Sequence, residues 1–352
     1  MSIVAALAAA DSMAMTILDE AHFLKNAKSN RTRAILRDLR PKLGRLLPMS
    51  ATPAPNHAGE LYAILRTVRP DLIPSARTPG KPMRESEFMD RYCEMRTIRV
   101  NGRLIETVAG SKNAQELRNR VSGFFLRVTK AQVLPDLPPL SFDVLPVDAV
   151  DLRTAGSSLL LQGTDDQILR RFQAGGAHIA TIYTQLGLAK VPAVIEYVHD
   201  WLEGNRSRQL VVWAVHHAVI DALVRSLAEF SPSKLDGRDS AAQRAVAIER
   251  FLDSKTQLFI GQIQAGGTGI TLVGPKTKCA DVLFAETSFS PSDNYQAACR
   301  VHRIGQHDAV LARLASADGT FDDRIQEILA RKAQDFVELF EQEQQPVEGA
   351  NV

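Results

Sequence analysis

TILDEAHFLKN, Thr16 to Asn26, sets an acidic pair, Asp19 and Glu20, directly after a β-branched and leucine run that reads as the end of a buried strand. Carboxylates at such a place hold a magnesium ion and orient a water for nucleotide hydrolysis. That chemistry also needs a loop that cradles phosphate, normally well upstream, yet Asp19 stands close to Met1. The other reading of the pair is an acidic helix start, because carboxylates favour helix N-termini.

Outward from this stretch the chain repeats one grammar. MAMTIL (Met13 to Leu18) reads as the strand feeding the pair, with a helical segment over residues 3–10 before it. A basic amphipathic helix is predicted over Ser29 to Leu39. GRLLPMSATP (Gly44 to Pro53) is a second apolar strand ending in a small polar turn, and HAGELYAILRTVRP is a helix closed by Pro70. Ser50-Ala51-Thr52 suits the cap of that helix.

From Pro74 to about Pro146 proline and glycine are frequent. TIRVNGRLIETV (Thr97 to Val108) predicts a hairpin on an Asn-Gly turn, whose two central residues need positive φ. Basic residues then cluster from Arg118 to Lys130, and Pro135 to Pro139 suits an interdomain linker. Phe124 and Phe125 suit base stacking, but beside Leu126 and Val128 they read as core.

The second half alternates strictly. Strands are predicted at 209–215, 257–263, 281–287 and 309–316, with helical segments between them. Short apolar strands separated by helices of about ten residues or more predict an α/β fold with a parallel sheet covered on both faces.

A chain of 352 residues, 45% hydrophobic and 23% charged, has the totals of a soluble globular protein with room for two cores. A net charge of +2 restricts any nucleic-acid surface to a local patch. Cys93, Cys279 and Cys299 are far apart, which supports neither a disulfide framework nor a zinc site and suits a reducing, cytosol-like compartment. The apolar N-terminus lacks a basic flank and is too short to span a bilayer, so no membrane is implied.

Two further groups carry chemistry. Arg300 and Arg303 are three apart, so on a helix they share one face and converge on one anion. GGTG (Gly266 to Gly269) offers backbone amides that approach phosphate without Cβ interference, or forms a plain strand-to-helix turn. His302 and His307 read as structural.

In order, LDEAHFLKN, PMSATP, FFLRVTKAQVLPDLPP, GLAKVPAVIEYV, QAGGTGITL and QAACRVHRIGQ resemble motifs II and III, the linker, the start of lobe two, and motifs V and VI of the Swi/Snf-type ATPases. These are double-stranded-DNA translocases of helicase superfamily two. FMDRYCEM, SATPAPNHAGELY and VLFAET look closest to the HARP-like annealing-helicase branch. The resemblance runs from about residue 14 to 335. It implies RecA-like parallel sheets, a partial lobe one over 1–75, an insertion and linker over 76–186, and a complete lobe two over 187–345. ATP and Mg2+ are the implied cofactors, with nucleotide and DNA bound across the cleft between the lobes.

Carried over by residue, the resemblance gives Asp19 a water-mediated contact to magnesium and makes Glu20 the base for the attacking water. Ser50 and Thr52 couple nucleotide to DNA, while Gly267, Thr268 and Gly269 touch DNA backbone and relay nucleotide state. Arg300 and Arg303 are arginine fingers on the γ-phosphate, supported by Gln296 and Gln306. Two departures stand out: Cys299 replaces the acidic residue usual before the first finger, and SFSPSDN keeps only Pro291 of a Trp-rich Asn-Pro element. DEAH-box RNA helicases fit less well, since HRIGQ is not their usual motif VI.

A Walker A loop needs G-x-x-x-x-G-K-[ST]. The nearest string is GITLVGPKT, Gly269 to Thr277, where a proline shifts the lysine and removes an amide donor. Motif I is therefore expected to be missing, with lobe one truncated. Two functions follow: an ATP-dependent translocase on double-stranded or forked DNA, completed by a preceding segment or a partner that brings the Walker A loop, or a non-catalytic DNA- or partner-binding remnant. The implied location is nucleoid-associated cytoplasm in a bacterium or phage, and the nucleus in a eukaryote.

Overall fold

The computed structural model describes residues 13–148 and 178–318 apart from 28, 55, 101–102 and 267–268, together with Thr320, Asp322, Gln326 and Leu329. The expected helix at 3–10 lies outside them. The chain divides into two compact units, the first taking in the described residues of 1–98 and 105–127, the second those of 99–104 and 128–329.

In the first unit, β1 (Met13–Leu18) and β2 (Leu43–Pro48) run parallel, with Met13 opposite Leu43 and Leu18 opposite Pro48. The ladder continues past both strand ends, since Met49 N donates to Leu18 O and Ala21 N to Met49 O, both at 2.8 Å. Between the strands, Ser29 caps a first helical turn by accepting from Thr32 N, and the helix then widens into π-type turns over Arg33–Leu39. The helix after β2 is α1 (Tyr62–Val68), which stops two residues before Pro70 because a proline disfavours the α conformation in the residue preceding it.

Helices α2 (Glu85–Tyr92) and α3 (Ala114–Val121) bury Phe88, Tyr92, Leu117 and Val121 against Leu61, Leu65, Ile73 and Met83. Phe124 and Phe125 pack partly buried on the same core, as expected. Between these helices β3 (Cys93–Val100) and β4 (Arg103–Ser111) form a two-stranded sheet, while the Asn101-Gly102 turn lies outside the described residues.

The second unit is a six-stranded, wholly parallel sheet of order β5-β10-β9-β6-β8-β7. Its strands are β5 (Leu140–Pro146), β6 (Gln209–Ala214), β7 (Ser233–Leu235), β8 (Leu258–Gln262), β9 (Cys279–Phe284) and β10 (Val310–Ser316). Edge strand β5 follows directly on Pro135 to Pro139, the stretch that the sequence reads as linker, and falls within the 76–186 insertion and linker region. Central β6 is buried along its whole length, which explains an apolar run without alternation.

Helices cover both faces. α4 (His178–Gly204) and α5 (His217–Ser226) pack Val194, Val198, Val219, Ile220 and Leu223 on one. On the other, α6 (Ala241–Leu252) and α7 (Pro291–Ala298) pack Phe251, Ala297 and Ala298 around Trp213, Phe259 and Phe284. A Cβ on Gly266 would collide with the Trp213 ring, so glycine at the GGTG turn is demanded by packing as well as by access.

Candidate functional site

Strand β1 delivers Asp19 to an exposed position at its carboxyl end. Asp19 Oδ1 accepts from Glu20 N at 2.8 Å. Glu20 takes a left-handed backbone (φ 49°), which turns the chain sharply into the short 3-10 turn Ala21–Leu24. Neither acid caps that turn with its side chain, so the helix-start reading does not describe what these carboxylates do. An exposed carboxylate with lone pairs to spare suits a hydrated magnesium ion, a hard cation that prefers oxygen.

The pair is tied to the turn after β2 through a residue the sequence reading passed over. His22 Nδ1 lies 2.9 Å from Ser50 Oγ and 3.2 Å from Glu20 Oε2. Ser50 Oγ in turn accepts from Thr52 N at 3.1 Å. Ser50 therefore caps its own turn and not the following helical segment, whose first residue Ala58 donates instead to Ser111 Oγ at 2.9 Å. Thr52 Oγ1 is buried without a hydrogen-bond partner among the described residues. The signal for His22 was present in DEAH itself: a histidine three residues after Asp19 returns to the strand end within one tight turn.

Behind this turn Glu60, only 7% exposed, accepts from Asn56 N (2.9 Å) and Asn56 Nδ2 (2.8 Å) and pairs with Lys25 Nζ at 3.0 Å. Burial pushes its carboxyl up, but these donors outweigh burial and hold it below the usual carboxylate range.

In the second unit the two arginines do not sit on a helix. α7 ends at Ala298, and Arg300 and Arg303 occupy the turns beyond it. They still converge. Arg300, 4% exposed, donates from Nη1 to Ile270 O at 3.3 Å. Arg303 donates from Nη1 to Thr271 Oγ1 (2.9 Å) and from Nε to Cys299 O (3.1 Å). The backbone adds a third link, Leu272 N to Arg300 O at 2.8 Å. Motif VI is thus laced onto the segment that follows GGTG. Gly269 holds φ +74° there, while Gly267 and Thr268 lie outside the described residues.

The supporting residues divide. Gln306 is fully engaged: Nε2 donates to Cys279 O at 2.7 Å, and Oε1 accepts from His307 N (2.9 Å) and Asp308 N (3.0 Å). It pins the HRIGQ turn to the start of β9. Gln296 lies half-buried on α7. Lys130 Nζ, which sequence reading saw only as part of a basic run, reaches Cys299 Sγ and His302 O, both at 2.9 Å. His302 Nε2 lies 2.6 Å from Pro138 O, the structural role expected of it. Burial first, and the nearby lysine, lower its pKa against the rise that this carbonyl causes.

The GITLVGPKT string is closed as a phosphate cradle. Gly274 N donates to Thr277 Oγ1 and Thr277 Oγ1 to Gly274 O, both at 2.8 Å, so the turn satisfies itself. Lys276 Nζ is drawn away to Asp253 Oδ1 at 2.9 Å. The residues present fit the metal and the γ-phosphate charge, and this string does not fit the triphosphate.

The wholly parallel α/β second unit carrying the arginine turn, and the first unit whose strand ends in the acidic pair, fit a helicase-like class of protein. The SNF2-related domain family matches residues 2–153, and the helicase conserved C-terminal domain matches residues 189–305. The chain belongs to the Swi/Snf-type helicase-like family.

Its relatives include the SWI/SNF-related matrix-associated actin-dependent regulator of chromatin subfamily A-like protein 1 of Xenopus tropicalis, 30% identical over 90% of this chain and 32% of that protein. The human DNA annealing helicase and endonuclease ZRANB3 is 29% identical over 91% of this chain and 29% of that protein. The chain thus spans about a third of the length of these relatives. Among solved structures, the Sulfolobus solfataricus SWI2/SNF2 ATPase core in complex with dsDNA aligns with a TM-score of 0.43 and 19% identity, over 96% of this chain and 72% of that one.

Proposed function

We propose that this chain is the motor portion of an ATP-dependent translocase on double-stranded or forked DNA, acting in DNA remodelling, repair or replication. The observation that carries the reading is the lacing of Arg300 and Arg303 onto Ile270 and Thr271. A motor has to tie the groups that meet the γ-phosphate to the loop that meets DNA, and here they share hydrogen bonds. In this reading Asp19 reaches magnesium through water, Glu20 orients and deprotonates the attacking water, and the arginines neutralise charge on the phosphoryl group. Gln296 and Gln306 support the arginines. Gly267, Thr268 and Gly269 meet the DNA backbone, and Ser50 and Thr52 couple the two events. Residues 1–75 would be the lobe-one part, 76–186 the insertion and linker, and 187–345 lobe two.

We also propose that these 352 residues alone turn over no ATP, because the string nearest to a Walker A loop is spent on its own turn and on Asp253. The same observation favours a second reading, in which the chain binds duplex without catalysis. One experiment separates them: DNA-stimulated ATP hydrolysis by the chain, before and after fusion to an upstream segment bearing G-x-G-K-T. The motor reading expects activity only after fusion, and its loss in Glu20→Gln. A fused chain that binds DNA yet stays inactive supports the second reading. Turnover by the unfused chain that survives Glu20→Gln overturns both.

A further inference from the structure

A capping box holds the short helical turn Lys130–Val133: Thr129 Oγ1 accepts from Gln132 N, and Gln132 Oε1 accepts from Thr129 N at 2.8 Å. This presents Lys130 to the turn that carries Arg300 and Arg303. Nζ donates to Cys299 Sγ and to His302 O at 2.9 Å each, and lies 3.5 Å from His302 Nδ1. Burial first lowers the pKa of this ring, so near neutral pH it is uncharged. Its Nε2 sits 2.6 Å from Pro138 O, and a carbonyl only accepts, so the ring hydrogen is on Nε2 and Nδ1 is left as an acceptor. The three hydrogens of the ammonium thus face a sulfur, a carbonyl and an imidazole nitrogen. Among the described residues half-buried Lys130 pairs with no carboxylate, the usual partner of a cation drawn out of water.

The three cysteines are all free thiols, in different surroundings. Burial pushes the Cys93 thiol up to about 11 and the Cys279 thiol far up, and thiols sealed in a core in this way are inert. Cys299, at the end of α7, is the most solvent-open of the three at 8%. It shares a hydrogen bond with the side chain of Tyr295, itself 45% exposed. A thiol at the edge of solvent, with an amine nitrogen 2.9 Å away, has its reaction partner already inside the ~3–3.5 Å of a near-attack pair.

We propose that Cys299 and Lys130 form a modification site for hydroperoxides, in which oxidation at Sγ ends in a covalent bond between Sγ and Nζ. In the first step Sγ attacks one oxygen of hydrogen peroxide. The O–O bond breaks, an S–O bond forms, and the departing hydroxide leaves with the thiol proton as water. The sulfur loses two electrons, the peroxide gains them, and Cys299 becomes a sulfenic acid, a species that condenses with thiols and nitrogens. In the second step Nζ, after giving one proton to solvent, attacks that sulfur. The S–N bond forms, the S–O bond breaks, and hydroxide leaves with a second amine proton as water. The product is a sulfenamide, which two equivalents of an external thiol return to free thiol and amine. The bond ties the stretch before β5 to the arginine turn across a sequence separation of 169 residues. Neither nucleotide nor DNA takes part, so this chemistry stands apart from the function proposed above.

The test treats the folded 352-residue chain with hydrogen peroxide, blocks remaining thiols, digests it and maps the peptides by mass spectrometry. The expected product joins the Lys130 and Cys299 peptides, is lighter than their sum by two hydrogen atoms, and disappears on treatment with dithiothreitol. Lys130→Arg keeps the charge but not the nucleophilic amine, so its Cys299 is expected to run on to sulfinic and sulfonic acid. Cys299 left as a thiol, or carried to those acids with Lys130 unmodified in the unaltered chain, overturns the proposal. So does a cross-link that forms equally well in the urea-unfolded chain, because it would owe nothing to the geometry.

Discussion

Arg303 Nη1 donates to Thr271 Oγ1 at 2.9 Å, one residue from the Ile270 carbonyl that takes Arg300 Nη1. The hydroxyl fixes where the guanidinium points without neutralising it. We predict that Arg303→Ala removes ATP turnover in an active, upstream-extended form by about a thousandfold, the usual worth of an arginine on a transferring phosphoryl group. Thr271→Val should keep the charge but loosen its aim, costing far less. Steady-state ATPase assays with saturating duplex decide it, and equal losses in the two variants would show that Thr271 does something other than position Arg303.

Much of the second unit was legible in the sequence because each strand is a short apolar run bracketed by turn residues, and a strand buried on both faces needs no alternation. The arginine pair was legible as a pair, but not as a turn. Spacing of three fits a helix face, yet the helix stops at Ala298 and convergence comes from two acceptors on one neighbouring segment. The roles of His22 and Lys130 were not legible. Each acts on a residue distant in sequence, Ser50 and Cys299, and local pattern carries no information on such contacts. β5 was passed over because it follows directly on the proline cluster Pro135 to Pro139 that reads as linker, whereas an edge strand tolerates the one proline at its own end, Pro146.

Lys190 and Asp322 form an ion pair at 2.9 Å with 1% and 6% of their side chains exposed. Lys190 Nζ also donates to Ala315 O, and Asp322 Oδ2 accepts from Ala317 N, so the pair ties α4 to the end of β10. We predict that Lys190→Met destabilises the second unit by about 3–5 kcal/mol, because it leaves a buried carboxylate without its cation. Lys190→Met with Asp322→Leu should cost clearly less. Urea unfolding of residues 128–329 measures both, and it also tests whether this unit melts cooperatively by itself. A double variant as unstable as the single one would rule out the charge argument.

Acidification should strike the first unit through Glu60. Its folded pKa lies below the ordinary glutamate value, so the stability it contributes is fully present above that ordinary value and is lost as pH falls through the lower, folded pKa. Glu60→Ala should cost about 1–3 kcal/mol near neutral pH, since Asn56 and Lys25 lose a buried acceptor. It should also flatten the acid limb of stability against pH. Thermal melts from pH 7 to 3 check this, and an acid limb unchanged in Glu60→Ala would assign it to other carboxylates.

The His22–Ser50 contact joins the acidic pair to the turn after β2 at a place where both strand ends are already held by backbone bonds. Removing the Ser50 hydroxyl should therefore leave the strands in register while taking one anchor from the imidazole, which also lies 3.2 Å from Glu20 Oε2. The freed ring can pull Glu20 away from the position in which it orients water, and misplacement by about 1 Å is enough to cost a hundredfold in rate. We predict that Ser50→Ala lowers the DNA-stimulated turnover of an active, extended form by tenfold or more, an order-of-magnitude figure on the same ground. Duplex affinity and melting temperature should stay close to those of the unaltered protein. Ser50→Thr, which keeps a hydroxyl, should recover most of the activity. If Ser50→Ala instead loses DNA affinity in proportion to turnover, Ser50 is a DNA contact and the link through His22 does not transmit the signal.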